Sequence, residues 1–403
     1  MWRNEGCMAP RERKSFVGRI QDFWQTLTQD EEEDFDPEMR RYHAGCPCIY
    51  VSGFEGDHDK VLQQRLISAV AKWDGWGRRD SRDEWHGWRV NVSPSKLEIP
   101  ANLELPLHET TNAPTTGSPS SAESAAHANL LKLGGHLMIW GSLGWDSVAR
   151  TRVVRLRFAT PDPIELEQSK LIEMTHRLCL KADFGTDEGN LLAHVAVSLA
   201  FVIFITTGRH KEHRHDALLA ASGQLERRVQ SLPRSIHSYN RGLILNSYAL
   251  VEAEYQRDGG GFHRDAYDAY RNVLQEWTRA KCPSLWAATQ ANLGDALSRG
   301  GGSRWGTEFE EAVTAFELAL QVWDRTNTPL LWVTTQYKLG KVLVELGQLK
   351  RSEVRIKEGI QALREALVDA MLNRELSDFR YRQYLMDWIS LQVKHAEESL
   401  NDM

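Results

Sequence analysis

The residues best suited to chemistry sit in a few short polar clusters. Residues 54–60 read FEGDHDK and gather Glu55, Asp57, His58 and Asp59 just after an apolar, β-branched run. Carboxylates beside a histidine could hold Mg2+ or Zn2+, or act as general acid and base. The end of a strand is where α/β folds place such groups. The competing reading is a polar turn in which Asp57 or Asp59 caps the helix that starts at Val61. No second acidic cluster completes a site, so no metal is expected, and Glu55, Asp57 and Asp59 are the candidates if one binds. His210, His213 and His215 (HKEHRH) lack the i, i+4 spacing of a helical zinc pair, and the basic residues between them would repel a cation, so a solvated connector is expected. Cys46 and Cys48 form C-x-C, but Cys7, Cys179 and Cys282 are scattered without motif spacing.

Other clusters read the same way. Gly300, Gly301 and Gly302 lack the Lys-Ser/Thr ending of a phosphate loop. Trp73, Trp76, Trp85 and Trp88 frame an Arg/Asp-rich stretch that could stack on a base or ligand. Covering a sheet edge is the favoured alternative. There is no Ser-His-Asp signature, no G-x-S-x-G and no kinase motif set. Catalytic residues and cofactors are therefore expected to be none.

The elements that would position these groups divide the chain in two. With 403 residues, 41% apolar and 26% charged, the protein has material for two or three globular domains. Its formal net charge of −6 argues against a protein built to bind nucleic acid. Five cysteines, an odd number, fit a reducing compartment, and a cytoplasmic location is expected. Residues 1–40 read as a peripheral segment with a short amphipathic helix around Phe16, Ile20, Phe23, Trp24 and Leu27 and an acidic linker at 30–36. Residues 41–162 read as a small α/β domain. Strands are expected at 48–53, 88–92, 137–142 and 151–158, helices at 61–73 and 125–133, and a Thr/Ser/Pro-rich loop at 110–124. From residue 164 onward only helices are expected, with 163–235 as a connector and 236–403 as a repeat region.

Residues 191–207 (LLAHVAVSLAFVIFITT) form the one stretch that raises a membrane question. A spanning helix needs about 20 apolar residues. This run is short and carries His194 and Ser198, so a helix buried within a helical domain is expected, and membrane attachment is not.

The repeat region carries the strongest signal. Residues 283–286 (PSLW) recur 46 positions later as 329–332 (PLLW). At the same offset Thr289-Gln290 recurs as Thr335-Gln336, Leu293-Gly294 as Leu339-Gly340, and Trp277 as Trp323. Ala266 with Ala312, and Tyr270 with Phe316, keep the register, and Asn246 with Asn292 extends it upstream. This pattern resembles the tetratricopeptide repeat. The motif's small-residue pair is matched at Leu293-Gly294 and Leu339-Gly340, and its second helix at Ala312, Phe316 and Ala319. The unit is longer than the usual 34 or so residues, with the extra length in loops at 299–309 and 256–263. Three units, about 240–282, 283–328 and 329–368, are followed by a closing helix at 376–400. Residues 50–59 (YVSGFEGDHD), 137–142 (LMIWGS) and the strand ending Arg155-Leu156-Arg157-Phe158 resemble, more loosely, the amino-terminal domain of TolB, which bacterial proteins with such repeats often carry.

The fold expected is therefore α+β: a small N-terminal α/β domain followed by an all-helical, tetratricopeptide-like solenoid. The function expected is a non-catalytic scaffold or adaptor for a partner protein or peptide. Stacked helix pairs present their first helices to such a partner. By resemblance the binding positions are Asn246, Gln290, Asn292, Gln336, Lys338 and Lys341, with Tyr248 and Asp295 beside them. The alternative is a sensor or enzyme whose α/β domain binds a nucleotide or metal and is regulated by the repeats.

Overall fold

The computed structural model describes residues 47–403 except 56, 58, 73–75, 80–84, 89–90, 100–120, 147–149, 162–176, 207–213, 231, 233–237, 258–262, 300–305, 373–378 and 402–403. The described residues fall in one compact unit, Cys46–Met403. The expected helix near residues 16–27 and the acidic linker lie outside them.

Every residue of β1 (Cys48–Phe54) is buried, as its largely apolar run, interrupted by Ser52, requires of a strand covered on both faces. It lies inside a five-stranded sheet of order β4-β1-β5-β6-β7. β4 (Asn91–Ile99) and β5 (Leu137–Asp146) flank β1 in parallel, and β6 (Thr151–Ala159) and β7 (Leu178–Lys181) add antiparallel. A separate hairpin, β2 (Trp76–Arg79) with β3 (Trp85–Trp88), sits in sequence between α1 (Val61–Ala71) and β4. Helix α2 (Ser121–Leu133) links β4 to β5.

Alternation along the strands separates two cores. Ile49, Val51, Leu137, Ile139, Val154 and Leu156 pack with Leu62 and Leu66 of α1 and with α3 (Thr186–Thr206). Cys48, Tyr50, Met138, Trp140 and Ala159 pack with Ala126 and Leu130 of α2. Gln63 is buried in α1, where its Nε2 donates to the carbonyls of Val51 (2.9 Å) and Ser95 (3.2 Å). Those carbonyls flank the place where the β1–β4 register shifts.

Two expectations need correction here. The strand expected at 88–92 is divided, because β3 ends at Trp88 and β4 begins at Asn91. The sheet also runs past the boundary expected at 162, since β7 pairs with β6. Helix α3 holds the apolar run 191–207 up to Thr206 and belongs to the core cluster that it shares with the sheet and α5. Leu192, Val195, Leu199 and Val202 are fully buried or nearly so. The helix contacts α1, β1 and β5 on one side and α5 on the other, so its surroundings are not purely helical. Ser198 Oγ donates to the His194 carbonyl at 2.6 Å, which satisfies the hydroxyl within the helix. Among the described residues no helix is long and apolar enough to cross a membrane.

The remaining helices are α4 (Arg214–Gln230), α5 (Ser238–Arg257), α6 (His263–Glu276), α7 (Pro283–Arg299), α8 (Thr307–Leu320), α9 (Pro329–Lys350), α10 (Glu353–Leu372) and α11 (Phe379–Asn401). They pack in sequence as pairs α5/α6, α7/α8 and α9/α10. The 46-residue offset becomes a packing register. Trp277 and Trp323 are both buried, as are Ala266 and Ala312, and Tyr270 and Phe316. Glycine sets the close approach of α9 to α10. A Cβ on Gly340 would lie 2.8 Å from Leu363 Cγ and 2.9 Å from the Gly359 carbonyl oxygen. Gly347 abuts Ile356 in turn, so α9 and α10 run antiparallel.

Candidate functional site

The first helices of the pairs carry a run of charge that links three of them. On α5, Glu254 is buried, 2% exposed, and its carboxylate lies 3.9 Å from the Arg299 guanidinium on α7. Arg299 also pairs with Asp295 one turn back. Asp295 in turn forms an ion pair with Lys338 of α9, 3.4 Å from its Nζ. On the outer part of α9, Lys341 pairs with Glu345 at 3.7 Å. Burial raises the Glu345 carboxyl, with Lys341 opposing. Tyr270 is buried beneath the network; burial pushes its phenol up, Asp295 and Glu254 reinforce this, and Arg299 opposes it.

Helical geometry decides which of the expected binding positions share this face. Asn292, Asp295 and Arg299 on α7 follow i, i+3, i+7 spacing, and Lys338, Lys341 and Glu345 on α9 repeat it. The structure therefore brings Asn292, Lys338 and Lys341 to one surface. Gln290 and Gln336 stand two residues away from Asn292 and Lys338, roughly 200° around the helix. Both are largely buried, and Gln336 Nε2 donates to Glu365 of α10 at 3.2 Å. Gln336 thus belongs to the seam with α10, and Gln290, on the same side of α7 by the repeat offset, is turned away from the first-helix face. Asn246 is fully buried, because α5 is also covered by α3 and α4. It keeps the repeat register but cannot reach a partner. Tyr248 is partly exposed, and its phenol is pushed up by burial and by Glu252.

Two features of the helices were missed by reading the chain. Arg279 stacks over Trp286 at 5.6 Å, and Arg325 over Trp332 at 4.3 Å. Both pairs obey the 46-residue offset, so the offset itself was the available signal. Arg325 further pairs with Glu365 (3.2 Å) and Asp369 (3.1 Å). The second feature is Glu252 on α5, 3% exposed, which accepts from Ser222 of α4. Burial pushes its carboxyl up to about 7. Asp265 and Glu226 push the same way, and hydrogen bonds from Ser222 and Tyr248 oppose.

In the sheet region Asp57 is a helix cap. Its Oδ1 accepts from the Leu62 N–H and its Oδ2 from the Gln63 N–H, both at 3.0 Å. Glu55 and Asp59 are exposed in the same turn. Among the described residues no three His, Cys, Asp or Glu side chains are grouped to hold a metal ion. His210, His213, Cys46 and residues 300–302 lie outside the described residues, and His215 is in the first turn of α4. Trp76 pairs with Trp88, and Arg79 with Trp85, in the β2/β3 hairpin, while Trp73 lies outside the described residues.

Compared with protein-family models, with curated proteins and with solved structures, the chain matches none.

Proposed function

We propose that the protein is a non-catalytic adaptor that holds a partner protein or peptide against the first helices of its repeated pairs. In this reading the pairs are tetratricopeptide-like units, the sheet region is akin to the TolB amino-terminal domain, and the protein works in a bacterial cytoplasm. The observation that carries it is the shared face of α7 and α9. Asn292, Asp295 and Arg299 stand there beside Lys338, Lys341 and Glu345 in matched register. Both signs of charge and an amide along two neighbouring helices suit an extended peptide, whose backbone and side chains need donors and acceptors at regular intervals.

Asn292 and Lys341 are the residues to change, because Lys338 ties α9 to Asp295 of α7 whereas Lys341 pairs within its own helix, with Glu345. Tagged full-length protein and an Asn292→Ala/Lys341→Ala variant are used for capture from source-cell lysate, with quantitative mass spectrometry. The variant is expected to lose at least one partner several-fold while its far-UV circular dichroism stays unchanged. The same partners retained in the same amounts would refute the reading.

The alternative, a sensor or enzyme using Glu55, Asp57 and Asp59, has narrower support. The Asp57 oxygens already accept backbone N–H groups. A rise in melting temperature with Mg2+ or Zn2+ that disappears in Asp57→Ala would favour it.

A further inference from the structure

We propose that α4 is a strap held shut by the protonated carboxyl of Glu252, and that ionisation of this group near neutral pH releases α4 from α5.

Glu252 sits where α4 packs on α5. It is 3% exposed, and Ser222 of α4 donates to it. Tyr248, one turn earlier on α5, is its second hydrogen-bond partner. Both partners are neutral hydroxyls. The charged groups that act on Glu252 are Asp265, in the first turn of α6, and Glu226, one turn after Ser222 on α4. Both are exposed and negative. Among the described residues no group of α3 or α7, which also pack on α5, acts on it. A carboxylate taken out of water among like charges is strongly disfavoured, so the closed state holds the proton. The carboxyl is accordingly pushed from 4.5 up to about 7, by burial above all, with the Ser222 hydrogen bond opposing and Asp265 and Glu226 reinforcing.

Of the helices around Glu252, α4 is the one that gives way. It packs mainly on α5, with smaller contacts to α3 and β2. Among its described side chains Leu218 and Leu225 alone are fully buried, and Leu219 is 51% exposed. Gly223, next to Ser222, has nothing within 4 Å of where a Cβ would stand, and a glycine in mid-helix weakens the helix. By contrast α6 is anchored by Ala266, Ala269, Tyr270 and Val273, all buried. An ionised Glu252 regains water when α4 lifts, and lifting also carries Glu226 away from it. The raised pKa belongs to the closed state, so closure is fully favoured below about pH 4.5 and loses ground as pH rises through about 7. With an ordinary carboxyl in the open state, the opening equilibrium grows roughly thirtyfold between pH 5.5 and pH 8.5.

The test is hydrogen–deuterium exchange of the full chain at pH 5.5 and pH 8.5, corrected for intrinsic rates and followed by mass spectrometry. Protection over Arg214–Gln230 should fall roughly thirtyfold in wild type and less than about threefold in Glu252→Gln, which keeps the acceptor for Ser222 but cannot ionise. The fall should be confined to α4 and the side of α5 beneath it, with α9 and α10 unchanged. A wild-type fall of less than about tenfold, a fall as large in Glu252→Gln, or a loss shared equally by α4, α9 and α10 overturns the proposal. If Glu252→Gln does not fold, Glu226→Gln, at an exposed position, takes its place. A smaller fall than in wild type then supports the strap, and an equal fall overturns it. Partner capture plays no part in this readout, so it stands or falls apart from the adaptor reading.

Discussion

Glu252 makes the stability of the protein depend on pH in a direction opposite to that of an ordinary paired carboxylate. Its carboxyl is pushed from 4.5 to about 7 by burial and by the negative charges of Asp265 and Glu226. The group accepts from Ser222, and among the described residues no cation contributes to its shift. The folded state therefore binds a proton more tightly than the unfolded chain. The favourable contribution is complete below about pH 4.5 and is lost as pH rises through about 7. The displacement corresponds to about 3 kcal/mol between those limits. That is a large part of the 5–15 kcal/mol that holds a typical domain together. Urea unfolding of wild type and Glu252→Gln at half-unit steps from pH 4 to pH 8.5 measures it. Glutamine keeps the shape and the acceptor for Ser222 but cannot ionise. The difference, wild type minus variant, should be flat below pH 4.5, fall by about 2–3 kcal/mol by pH 8, and flatten again. Titrations of groups that do not interact with Glu252 cancel in that difference. A difference independent of pH, or one that rises with pH, would refute the account of a carboxyl buried without a counter-charge.

Other substitutions probe the packing. Gly340→Ala should cost about 1–3 kcal/mol in urea unfolding, because two of the three nearest atoms to its Cβ belong to the backbone of α10, at 2.9 Å, and cannot swing aside. Gly223→Ala in α4 meets nothing within 4 Å and should stabilise by about 0.5–1 kcal/mol in the same assay. The two register tryptophans should respond unequally. Trp277 Nε1 donates to the Tyr239 carbonyl at 3.2 Å, whereas Trp323 Nε1 has no partner among the described residues. Trp277→Phe should therefore cost about 1 kcal/mol more than Trp323→Phe, and equal losses would count against the hydrogen bond. Asp57→Ala should lower stability by about 0.5–2 kcal/mol through loss of the α1 cap, to the same extent with EDTA as with Mg2+.

The sheet and helices were legible where periodicity or composition was strong. The largely apolar run of β1, the alternation in β6 and the 46-residue register all correspond to elements of the fold. β7 was missed because it is four residues long, LCLK, and pairs on one side only. A strand so short has little pattern of its own and is recruited by its neighbour. Which of the expected binding positions share a face was half legible. Helical spacing alone separates Asn292 and Lys338 from Gln290 and Gln336. The burial of Asn246 depends on α3 and α4 covering α5, which no local pattern announces. Glu252 was illegible for the same reason. It is defined by elements distant in sequence, and a glutamate on paper gives no sign of which partners will surround it.

The core explains why the sheet and the helices act as one body. A single continuous cluster runs from Ile49 and Ile139 of the sheet through Leu192, Val195 and Val202 of α3 to Leu243 and Val251 of α5, Trp277 and Leu285. Helix α3 is apolar on every side because it has a neighbour on every side. Cutting the chain after residue 160 would remove it from the sheet and leave Ile49, Val51 and Leu137 facing water. Each such side chain contributes about 1.5–3 kcal/mol when buried, so three or four of them equal the whole stability of an ordinary domain. Neither part is built to stand alone. The first repeated pair is assembled against α3, so a change that loosens the sheet around β1 and β5 also loosens the packing on which that pair depends.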